Sequence, residues 1–210
     1  MKQIILLASV AVASLSLAAC QKKADGTVVP ASPVAQSETI NAAQDATSAA
    51  VGAVSASTLG ANSTDAFVSS GAMSDMYEVR AGQIAQQRGH SSSVKAFAKM
   101  MVADHTAMMQ GMQPLASAAG QTPPTELDQR RKGLLDNLKA AAPEDFDRVY
   151  LEQQEAAHKE ALTLMEGYAD KGDDMALKAA AAKAAPKVQA HLDRVRQLQA
   201  DAKAAMAMKK

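Results

Sequence analysis

From residue 63 onward the chain repeats one pattern: a polar or proline cap, then apolar side chains three and four apart over roughly 25 to 30 residues. Ser63 or Thr64 opens a first helix that runs to Gly89, and Ser91 or Ser92 opens a second that runs to Gly120. Pro143-Glu144-Asp145 suits the first turn of a third, ending near Gly172, and Asp173 opens a fourth that continues past Ala200. Each would be roughly 40 Å long. The links from first to second and from third to fourth are too short for anything but antiparallel hairpins. Between the hairpins Pro123-Pro124 breaks the chain, and residues 125–142 predict a shorter amphipathic helix through Leu127, Leu134, Leu135 and Leu138. The pattern therefore predicts an all-α fold over 63–210, an up-down-up-down four-helix bundle with an extra short helix between helices two and three. The hairpins read as distant copies: Phe67 and Phe146 open each half, and Val94-Lys95-Ala96 is echoed by Leu177-Lys178-Ala179.

Before residue 63 the pattern lapses. Residues 21–62 are rich in Ala, Ser, Thr, Val and Gln, with Pro30 and Pro33, and they read as a linker able to reach about 35 Å. A weak helix over 38–54 would find little core to pack on. Residues 1–19 read as a secretory leader: Lys2 supplies the positive end, and the apolar run over 4–12 is too short to span a bilayer. Leu17-Ala18-Ala19-Cys20 resembles the bacterial lipobox, which implies cleavage before Cys20, acylation of it and a membrane anchor. Gln21 in place of Asp then implies the outer membrane, facing the periplasm. Cys20 is the one cysteine, so it has no internal disulfide partner. Ordinary cleavage after Ser16-Leu17-Ala18, leaving Cys20 as a free thiol, is the alternative.

Composition narrows the rest. The chain is 48% apolar but only 3% aromatic, so its core is built from Ala, Leu, Val and Met. Lys plus Arg (22) balances Asp plus Glu (22), which leaves no basic field for nucleic acid. No glycine-rich phosphate loop, cysteine pair or serine elbow is present. The protein partner stays open, and no catalytic motif is legible beyond a metal site.

Candidate chemistry lies on the apolar faces. The second helix aligns Val94, Phe97, Ala98, Met101, His105, Met108, Met112 and Leu115; the fourth aligns Leu177, Ala181, Ala184, Val188, His191, Val195, Leu198 and Ala202. On the third, Leu151, His158, Leu162 and Met165 share a face flanked by Tyr150 and Glu155. On the first, Phe67, Gly71, Ser74, Glu78, Ala81 and Ala85 line up. Glu78, His105, His158 and His191 each fall within about one turn of their helix midpoint, and in an up-down bundle midpoints meet. One carboxylate and three imidazoles at one depth are the ligand set of a transition-metal site, with Glu155, three residues before His158, as auxiliary ligand. Iron, zinc, copper and manganese are all compatible. The competing reading is a hydrogen-bonded layer of Glu78, the histidines, Tyr150 and water that fixes register. The Met101, Met108 and Met112 stripe offers thioethers to cuprous copper or simply fills the core. Asp104, a quarter-turn from His105, reads as a rim salt-bridge partner, and His90 as a solvated turn residue. Pro186 predicts a kink in the fourth helix.

These motifs carry two resemblances. Inward Glu and Glu155-x-x-His158 resemble the ferritin-like families, although Val102 and Val188 stand where His105 and His191 would need a Glu, which argues against a ferritin-type di-iron oxidase. Tyr77-Glu78, Val94-Lys95-x-Phe97-Ala98-x-x-Met101-Val102-x-Asp104-His105, Phe146-Asp147-x-x-Tyr150 with His158, and Pro186-x-Val188-x-x-His191-Leu192 are similar to the exported family called domain of unknown function 4142, over 64–202. That resemblance implies a ferritin-like fold and an envelope location. The functional expectations are metal handling or stress protection, against a non-enzymatic structural or partner-binding envelope protein.

Overall fold

A computed structural model of the chain describes the backbone of residues 20–22, 28–30 and 33–208, and the side chains of 38–208. The expected leader over 1–19 and the acylated Cys20 side chain lie outside the described residues. Contacts divide the chain into Met1–Ile40 and Asn41–Lys210. The first unit carries two three-residue strands, β1 (Cys20–Lys22) and β2 (Val28–Pro30), paired antiparallel with Gln21 opposite Val29. Everything else described as regular is helical: α1 (Pro33–Ser57), α2 (Thr64–Arg88), α3 (Ser92–Ala118), α4 (Gln129–Ala140), α5 (Phe146–Lys171) and α6 (Met175–Ala207), with a 3-10 turn at Pro143–Asp145.

Local chemistry sets the boundaries. The Ser63 hydroxyl accepts from the Ala66 amide, that of Ser91 from Ser93, the Asp128 carboxylate from Arg131, and that of Asp174 from Leu177. The Asp128 cap is why the short helix begins later than 125. Gly120, at φ 72°, closes α3: its amide bonds Ser117, and that of Gln121 bonds Ala116, an ending that a left-handed residue makes possible. Pro186 lies inside α6, which stays continuous across it.

Helix α2 packs on α3 and α5, and α6 packs on α5 and α3, with α4 laid over α2 and α5. Both ends of this helical bundle are pinned. At one end the Asp147 carboxylate accepts from the amides of His90 (2.9 Å) and Ser91 (2.8 Å), so the first turn of α5 caps the α2–α3 link. Beside it the Arg88 guanidinium donates to the carbonyls of Leu138, Lys139 and Ala141 and lies over the Phe146 ring. At the other end Tyr168 stacks on Phe67 at 3.9 Å, and its hydroxyl joins Thr64 (2.6 Å) and Asp173 (3.0 Å). Gly82 lets α2 and α3 close up, since a Cβ there would meet Val102 Cγ2 at 2.8 Å.

Helix α1 differs from the linker reading. It has little apolar periodicity, and polar side chains from other helices hold it. Asp45 accepts from Gln153 (2.7 Å) and Asn137 (2.7 Å), and Arg130 donates to the Ser48 carbonyl (3.0 Å) while pairing with Glu160. Leu162 and Ala184, expected inside, are only half-buried, and Ala202 is exposed because α6 outruns its neighbours.

Asp45→Ala removes one of two acceptors from Gln153 Nε2 and is expected to cost about 1–3 kcal/mol. Limited proteolysis should then cut within 41–57 before the rest of the chain; unchanged cleavage there means that α1 is held by other contacts.

Candidate metal centre

Glu78 of α2, His105 of α3, His158 of α5 and His191 of α6 are 1%, 1%, 1% and 3% exposed. The three imidazole rings form a near-equilateral triangle, with centroids 5.7, 5.5 and 5.5 Å apart. One nitrogen from each ring lies within 4.8 Å of the others. The centre of such a triangle is at most about 2.8 Å from each corner, so shifts of under an ångström reach a metal–imidazole bond of about 2.0–2.1 Å.

Each ring is held from outside by one acceptor. His105 Nδ1 meets Asp75 Oδ1, His158 Nδ1 meets the Gln154 carbonyl, and His191 Nε2 meets Asp104 Oδ2, each at 2.8 Å. A carbonyl or carboxylate only accepts, so the neutral ring places its proton on that nitrogen and its lone pair on the other. The nitrogens left over are His105 Nε2, His158 Nε2 and His191 Nδ1, all buried and without a hydrogen-bond partner in the protein. Glu78 stands beside this set: Oε2 accepts from Gln154 Nε2 at 2.7 Å, while Oε1 is buried, unpartnered and 3.8 Å from His158 Nδ1, the nitrogen that bonds the Gln154 carbonyl. Three ring lone pairs are thus left buried with no protein donor, an arrangement that a cation would satisfy, with the outer acceptors orienting each ring.

Electrostatics agrees. Burial pushes the Glu78 carboxyl up to about 7, against the opposing His105 charge and the Gln154 bond. Burial pushes His158 down to about 3, helped by the charge of His105, and pushes His191 down despite its Asp104 bond. His105 is the exception: burial depresses it, but the Asp75 bond and the charges of Glu78 and Asp75 outweigh that and raise it. A proton on His105 is thus the rival to a metal ion for this space. Tyr150 adds a buried hydroxyl with no protein partner, its pKa held well above the phenol range by burial and by the Glu78 charge.

Of the five expected ligands, the three histidines come together, Glu78 lies beside His158, and Glu155 does neither. Its carboxylate turns to the flank of α5, pairing with Lys159 at 2.7 Å and Arg196 at 3.6 Å. Three residues before His158 is a position one-sixth of a turn off its face, and two cations wait there. The residues missed by the sequence reading are Asp75, Gln154 and Gln153. Asp75 stands three before Glu78 and Gln154 four before His158, the spacings that share a helix face, and that was the signal available. Gln153 carries the neighbouring link, accepting from the Tyr77 hydroxyl at 2.9 Å and donating to Asp45. Asp104 is at the rim as expected, bonded to Lys187 as well as His191, and His90 is exposed.

Comparison with known proteins returns a family model described as Domain of unknown function (DUF4142), which matches residues 33–198. No curated protein and no solved structure matches the chain. The matched region begins with the first residue of α1, so it takes in the helix that the resemblance over 64–202 left out.

The raised Glu78 pKa favours the fold below its unfolded value of 4.5, and that advantage is lost as pH rises through about 7. With chelator present, Glu78→Gln should therefore gain stability relative to the native chain between pH 4.5 and 7, by roughly 1–3 kcal/mol, and then level off. His158 works in the opposite direction, losing stability as pH falls below 6.5, but it is common to both proteins and cancels. Urea unfolding across that range measures the difference; a flat difference means that Glu78 is ionised throughout.

Proposed function

Because the chain belongs to the family described as Domain of unknown function (DUF4142), a name that carries no activity, we propose a function from the centre itself: binding of one divalent transition-metal ion. His105, His158 and His191 would hold it, with Glu78 as fourth ligand. The observation that carries this is the set of three buried, unpartnered ring nitrogens, each fixed through its other nitrogen by an acceptor. Charge supports a divalent ion, since a cation at the rings would favour the ionised forms of the two buried carboxyl groups, Asp75 and Glu78, whose pKa values burial raises, and would take the place of the proton on His105. Imidazole ligands favour zinc, copper and iron over magnesium and calcium.

The same reading takes the two paired hairpins as a ferritin-like bundle and the protein as an exported lipoprotein, tethered through Cys20 to the outer membrane and handling metal in the periplasm. Among the described residues no helix is long and apolar enough to cross a membrane. A bound ion would supply Lewis acidity or redox chemistry according to its identity. The chain's own residues orient the ligands through Asp75, Gln154 and Asp104, and keep water out with Phe97, Met101, Leu151 and Val195. A second reading, in which a proton on His105 ties the rings into a purely structural layer, is favoured by the raised pKa of that ring.

Isothermal titration and elemental analysis of the full chain separate the two. One equivalent of zinc, copper or iron is expected, with affinity falling at least about 100-fold in His105→Ala and His158→Ala, little change in Glu155→Gln, and a metal-dependent rise in Tm. No stoichiometric ion and no rise in Tm leave the structural layer.

For the anchor, Cys20→Ser in a Gram-negative host is expected to abolish labelling by radioactive palmitate and to move the protein from the membrane fraction to the soluble periplasmic one. A variant that stays membrane-bound and labelled rules out Cys20 as the lipidated residue.

A further inference from the structure

The three imidazoles differ in what lies behind them. Asp75, which holds His105, has a side chain 9% exposed; Gln154, whose carbonyl holds His158, is 0% exposed. Asp104, which holds His191, has a side chain 26% exposed. Its second oxygen, Oδ1, accepts from Lys187 Nζ at 2.8 Å, and the Lys187 side chain is 49% exposed. A line of polar contacts, Lys187 to Asp104 to His191, thus runs from solvent to the triangle, crossing from α6 to α3 and back. Among the acceptors described at the centre, Asp104 is the most open to water.

A divalent ion sheds hydration at high cost, and an apolar wall offers nothing in return. A carboxylate at the mouth of a path concentrates cations and replaces part of that hydration, whereas an ammonium resting on the carboxylate competes with them. We propose that the metal ion enters and leaves between α3 and α6, received first by Asp104, whose bond to Lys187 it displaces, before His191 turns to it. This rests on the metal reading above. Lys187 is released to solvent on its exposed stem, a dication takes the place of a monocation so that the net charge at Asp104 rises by one, and no covalent bond changes. Asp104 then acts as a positioning residue for His191 and as a way station, and Lys187 as the cation that sets how fast the way opens.

Stopped-flow uptake of Co²⁺ by the full chain tests this, because cobalt gains visible absorption when protein ligands replace water. Lys187→Met is expected to raise the association rate constant about 3- to 10-fold at low salt, and Asp104→Asn to lower it at least about tenfold. Lys187→Met should still reach one equivalent with the native spectrum, since it touches neither a ligand nor an acceptor behind one; Asp104→Asn, which also changes the partner of His191, is read on its rate. Asparagine keeps an oxygen for His191 Nε2, so a role confined to holding that ring predicts near-native rates. Lys99→Met, elsewhere on α3, and Arg196→Met, beside Glu155, should stay within about twofold of native. Rates within twofold in both Lys187→Met and Asp104→Asn overturn the route and leave the centre standing, as does a Lys99→Met effect as large as that of Lys187→Met. A native chain that takes up no Co²⁺ overturns the centre and the route together. Lys187 is exposed, so its variant decides the matter even where Asp104→Asn fails to fold.

Discussion

Burying three imidazoles and a carboxylate where an alanine- and leucine-rich core would otherwise close costs several kcal/mol unless each polar atom finds a partner. Half of that requirement is met by the protein: Asp75, the Gln154 carbonyl and Asp104 take the outer nitrogens, and the Gln154 amide takes one oxygen of Glu78. The other half, the remaining nitrogen of each ring and Glu78 Oε1, has no protein partner, and the proposed cation would supply one for the rings. A proton and that cation would compete for the place, which would tie the chemistry of the centre to the stability of the bundle.

The convergence depends on register, and register is set at the ends. Asp147 on the His90 and Ser91 amides fixes one hairpin against the first turn of the other, and the Phe67, Tyr168, Thr64 and Asp173 cluster fixes the opposite end. A slip of one turn would move a ligand by about 5.4 Å, enough to take it out of the layer. The clamps therefore position the centre although none touches it. Next to it, the line Asp45, Gln153, Tyr77 ties α1 to the residues adjacent to Gln154 and Glu78, so the outer helix leans on the segments that carry the ligands.

The inward placement of Glu78, His105, His158 and His191 was legible because period and depth are local properties: a polar residue within an apolar stripe faces inward, and helix length places it at mid-height. The helix starts were legible for the same reason, each marked by Ser63, Ser91 or an aspartate within one residue of its cap. Glu155 shows the limit of spacing arguments. An i−3 neighbour reaches the same ion only when nothing better lies on its own side, and Lys159 with Arg196 does. Helix α1 escaped because its hold on the protein is not written in its own apolar pattern; Arg130, Asn137 and Gln153, about 80 to 110 residues later, supply it.

By itself, then, the sequence determined the four long helices after residue 63, their inward faces and the height of each histidine, since all of these follow from the 3.6-residue repeat and from short-range hydrogen bonds. Only the tertiary structure decided which nitrogen of each ring is left free, which acceptors stand behind it, and which of them, Asp104, opens furthest toward water. Those depend on how four separate helices turn about their axes when packed, a choice made by contacts between residues far apart in the chain.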